Sequence, residues 1–132
     1  MIYNNDFVTN SSSTSFVLIQ KEGSTFSLKD FLSASGVSED SPLAIIYKRL
    51  YELIKDGIIT QVFSFEEANN DYRAFNEFSA EGEKEIRRRI GNGEKAFVGS
   101  IHDDDAVGCY FLGKKVVIIG DTFYFNWEPD AY

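Results

Sequence analysis

His102-Asp103-Asp104-Asp105 sets one imidazole beside three carboxylates, directly after the apolar stretch 96–101. Hard divalent cations such as Mg²⁺ or Mn²⁺ take carboxylate oxygens, and a neighbouring imidazole can serve as a ligand or as a base. Asp121, at the end of the apolar run Val116 to Gly120, is the most convincing further ligand. His102, Asp103, Asp105 and Asp121 therefore form the candidate metal set, and His102 with Asp121 the candidate catalytic pair of a small metal-dependent hydrolase or nucleotide-binding protein. The competing reading is an acidic, solvated hairpin turn that holds no cofactor. It is preferred, because charge runs usually occupy such turns.

Other chemistry meets the same bottleneck. Cys109 lies beside Tyr110 and Phe111 in an expected strand, where a free cysteine behaves mostly as a small hydrophobe. As a nucleophile it needs a base, and His102 is the single histidine of the chain. Any Ser/His/Asp arrangement must also use His102. Ser11 to Ser15 offer hydroxyls and backbone amides that could cradle a phosphate only if they converged. Neither a Gly-rich loop nor a following Lys accompanies them, so residues 1–15 read as a polar, flexible lead that orders as it joins a sheet. Lys84 with Arg87, Arg88 and Arg89 is the one basic cluster. Consecutive helical residues point about 100° apart, so helix-dipole complement and ion pairs account for it better than a nucleic-acid cradle.

The remaining candidates concern a protein partner. The stretch from Phe123 to Tyr132 is dense in aromatics and acids, the composition of a contact patch in which Tyr and Trp carry most of the energy. Tyr124, Trp127, Glu128, Asp130 and Tyr132, together with Asp103, Asp104 and Asp105, are the candidate partner-binding residues. The alternative for the tail is an edge strand that covers the core.

Several elements must position these groups. Phe16 to Ile19 is a short apolar strand. Ser27-Leu28-Lys29-Asp30 has the pattern of a capping box and opens a two-turn helix closed by Gly36. Ser41-Pro42 starts a longer helix, with Leu43, Ile46, Leu50, Leu53 and Ile54 at helical spacing and Gly57 past its end. Ile58 to Phe63 reads as a strand passing straight into a helix opened by Ser64-Phe65-Glu66-Glu67 and running toward Phe75. Ser79 caps a further helix through Ile90, with Glu83/Arg87 and Glu85/Arg89 as i,i+4 pairs. Short strands at 96–101, 107–112, 116–119 and 123–127, separated by turn residues, suggest an antiparallel meander. The expected class is a single α+β domain over 1–132: an antiparallel sheet of about four C-terminal strands plus one or two earlier ones, with three to four helices on one face.

Composition fits that class. The chain has 132 residues, 43% hydrophobic and 15% aromatic, enough to fill one core without staples. Its net charge of −8, with a pI near 4.6, disfavours a nucleic-acid partner. A single cysteine rules out an internal disulfide framework. No apolar run approaches the roughly 20 residues of a membrane span, and the first residues lack a secretory pattern, so a cytoplasmic, non-membrane location is expected.

Asp6-Phe7-Val8-Thr9-Asn10-Ser11-Ser12-Ser13-Thr14-Ser15-Phe16-Val17 resembles the opening of many small, uncharacterised bacterial and phage proteins. Those begin Phe-Val-Thr-Asn, then a serine run, then Phe and an aliphatic residue; Thr14 replaces a serine here. The resemblance covers about twelve residues and implies a bacterial or bacteriophage origin, with no activity attached. Val117-Ile118-Ile119-Gly120-Asp121 is similar to the strand-then-acid start of metal-dependent phosphoesterase motifs, but their Asp-x-His and Asn-His elements are missing.

The leading functional expectation is a non-enzymatic, acidic protein-interaction module, of the kind a phage or mobile element encodes to inhibit a host protein. A metal-dependent hydrolase or nucleotide-binding protein built on His102 to Asp105 is the second. The third is a subunit that self-associates as a homo-oligomer through a strand edge near the C-terminus.

Overall fold

The computed structural model describes residues 13–71, 78–102 and 115–127. Among them the chain runs β1 (Ser13–Gln20), α1 (Leu28–Ser35), α2 (Leu43–Gly57), β2 (Ile58–Val62), α3 (Phe65–Asp71), α4 (Ala80–Gly91), β3 (Lys95–His102), β4 (Val116–Ile119) and β5 (Phe123–Trp127). The five strands form one antiparallel sheet in the order β2-β3-β1-β5-β4. The class is the expected single-domain α+β fold.

The topology differs from a plain C-terminal meander. Among the described residues β1 lies at the centre, between β3 and β5, while β4 and β5 make a hairpin on one side and β2 is outermost on the other. The stretch 107–112, expected as a strand, lies outside the described residues. β1 also begins at Ser13, so the polar lead is shorter than residues 1–15. In its extended pairing with β3, successive amides of Ser13, Thr14 and Ser15 point to opposite sides and cannot converge on a phosphate.

Helices cover both faces of the sheet, not one. Phe16, Leu18, Phe123, Phe125 and Trp127 face α1 and α2, meeting Phe26, Phe31, Leu50 and Ile54. Val17, Ile19, Ala96, Val98 and Tyr124 face the other way, against Phe65 and Ala68 of α3 and Ile86 of α4. The cause is visible in β1. Phe16 to Ile19 are all at most 1% exposed, so each side of this strand needs a covering layer. The first face is aromatic: Phe31 packs against Phe26, Phe123 and Phe125 with ring centroids 5.7, 6.0 and 6.5 Å away, and the Tyr51 hydroxyl donates to the Phe26 carbonyl at 2.9 Å.

The helix ends follow local chemistry. Ser27 Oγ accepts from the Asp30 amide at 3.2 Å, and Gly36 closes α1 in the left-handed conformation at φ 73°. Ser41 Oγ accepts from Leu43 N–H at 3.1 Å, with Pro42 already helical. Ser64 Oγ accepts from Glu67 N–H at 3.1 Å, and the Glu67 carboxylate reaches back one residue further than in a standard box, to Phe63 N–H at 2.6 Å. Ser79 Oγ accepts from Gly82 N–H at 3.0 Å. At the far end of α4 the left-handed residue is Gly93 (φ 88°) rather than Gly91. α2 passes into β2 with no loop, because Gly57 and Gly99 let two backbones approach. A Cβ on Gly99 would collide with the Gly57 carbonyl and the Phe16 ring.

Candidate functional site

The sheet register fixes where the candidate residues sit. His102 ends β3 opposite Ser13, the first residue of β1. Asp121 lies in the turn between β4 and β5, next to Phe123, which pairs with Gln20 at the other end of β1. The two are thus separated by the length of β1, roughly 20 Å at strand rise. A ligand set or acid–base pair that needs both His102 and Asp121 does not assemble here, since side chains cannot bridge that span. Asp103, Asp104, Asp105 and Cys109 lie outside the described residues. Among the described residues no group of three His, Cys, Asp or Glu side chains is arranged to hold a metal ion.

Asp121 belongs to a cross-tied turn. Gly120 N–H donates to the Phe123 carbonyl at 2.9 Å and closes the hairpin. The Thr122 carbonyl accepts from Lys21 N–H at 2.9 Å and from Ser24 Oγ at 3.2 Å, while Thr122 Oγ1 donates to the Asp30 carboxylate at 3.0 Å. The Asp30 side chain of the expected capping box is therefore engaged by a residue 92 positions away.

Tyr124 and Trp127 are each 2% exposed, which removes them from any contact patch. β5 is an interior strand, not an edge, and has a helical layer on either side. Trp127 joins the aromatic core. The Tyr124 ring lies beneath the Arg89 guanidinium, whose Cζ is 5.2 Å from the centroid, and its hydroxyl accepts from Asn126 Nδ2 at 2.8 Å. Glu128, Asp130 and Tyr132 lie outside the described residues.

The arginine triplet takes the structural role expected of it. Arg87 pairs with Glu83 at 2.8 Å and reaches Glu66 of α3 at 2.6 Å, joining the two helices of this face. Arg88 meets Glu85 at 2.5 Å. Arg89, nearly buried, is held by Glu85 at 2.7 Å and Glu94 at 3.1 Å. Its burial was not foreseen. The sequence signal is the i,i+4 pair with a second acid just past the helix end. Hydrogen bonds from Arg88, then Arg89, hold the Glu85 carboxyl down at about 2 against the opposing effect of burial. The Arg87 hydrogen bond likewise lowers Glu66. Each guanidinium of the triplet thus faces carboxylates.

Two chain exits remain. β3 ends at His102, level with Ser13, and β5 ends at Trp127, three residues short of that level on the other side of β1, so the two ends are roughly 14 Å apart from two strand spacings across and three residues along. In sequence, Asp103-Asp104-Asp105 follows the first and Glu128 with Asp130 follows the second. The chain matches no family model, no curated protein and no solved structure.

Proposed function

We propose that this protein is a non-enzymatic protein-interaction module that engages a cationic partner protein through the carboxylates following β3 and β5. The observation that carries the reading is that β3 and β5 both end toward the Ser13 side of the sheet, flanking β1, with an acidic stretch next in sequence after each. Runs of carboxylates on an acidic chain attract a basic surface and select against acidic competitors. The loss of Asp121 from any site with His102 weakens the hydrolase alternative, and the neutralised arginines weaken a nucleic-acid one. The finer version is an inhibitor, bacterial or phage in origin, whose carboxylates occupy the nucleic-acid channel of a host protein.

The test is capture from a bacterial lysate on immobilised wild-type protein and on the Asp103→Lys/Asp104→Lys/Asp105→Lys variant. A basic protein retained by the first, released by salt and lost from the second is the expected result. A partner held equally by both at every salt concentration refutes the acidic-surface reading.

A further inference from the structure

We draw no further inference here: the strongest candidate, the apolar surface patch formed by Ile59 of β2 and Phe63 just after it, 59% and 70% exposed, carries nothing because nothing in the structure shows what covers it.

Discussion

At the end of the sheet where Gln20 meets Lys95 and Phe123, two turns are tied together: Thr122 links the β4–β5 hairpin to Lys21, Ser24 and Asp30, and the rings of Phe26, Phe31 and Phe123 lie beneath. At the opposite end the strands close on Ser13, His102 and Trp127, and the sequence beyond the last two turns to carboxylates. Acidic residues serve both ends, but differently. Asp30 is consumed as an acceptor that fastens a turn, whereas Asp103 to Asp105 follow a strand end in sequence and are proposed to meet a partner.

The largest effect expected from this contrast lies in the aromatic cluster at the tied end. Phe31→Ala should cost about 3–5 kcal/mol, read as a lowered midpoint in urea denaturation, because the buried ring leaves a cavity among Phe26, Phe123 and Phe125. A loss below about 1 kcal/mol would mean the cluster does not anchor that end. Nearer the acidic end, Gly99→Ala should cost roughly 1–3 kcal/mol in the same assay, because the added methyl meets the Gly57 backbone and the Phe16 ring. Insensitivity there would contradict the close passage from α2 into β2. Thr122→Val, which keeps shape and removes the hydroxyl bonded to Asp30, should cost about 1–2 kcal/mol. Adding Asp30→Asn should leave little more to lose if the two residues act as one tie.

A smaller effect belongs to the helical face that carries the arginines. The Glu85 carboxyl lies at about 2 in the folded protein against an ordinary 4.5. Its contribution is therefore present above pH 4.5 and is lost as pH falls from there toward 2. Glu85→Gln should flatten the stability profile in that window, by roughly 1 kcal/mol or less given the partly exposed pairs. An unchanged acid slope would remove the network from the account of stability.

Helix starts were readable from the sequence because a cap and its partner lie within three residues: Ser27, Ser64 and Ser79 act as their spacing predicts. The Glu83/Arg87 and Glu85/Arg89 pairs were readable for the same reason. The insertion of β1 between β3 and β5 was not, since pairing Val17 with both Val98 and Asn126 depends on contacts across most of the chain. Two-sided burial had a signal, the unbroken Phe16 to Ile19 run, which alternation-based reasoning takes only for a strand. Tyr124 and Trp127 were misjudged because a period of two says which residues share a face and not whether a helix covers it. His102 and Asp121 sit after similar apolar runs and differ only in which end of the sheet those runs reach.

The central claim is that the carboxylates beyond β3 and β5 act together as an electrostatic contact site for a basic protein. Its most direct test is the affinity of the captured partner across a salt series, for the wild type and for the Asp103→Lys/Asp104→Lys/Asp105→Lys variant, with melts matched as a control on folding. The account predicts steep weakening of the wild-type complex as salt rises and a large loss for the variant at low salt. Equal affinities for the two proteins, unchanged by salt, would contradict it.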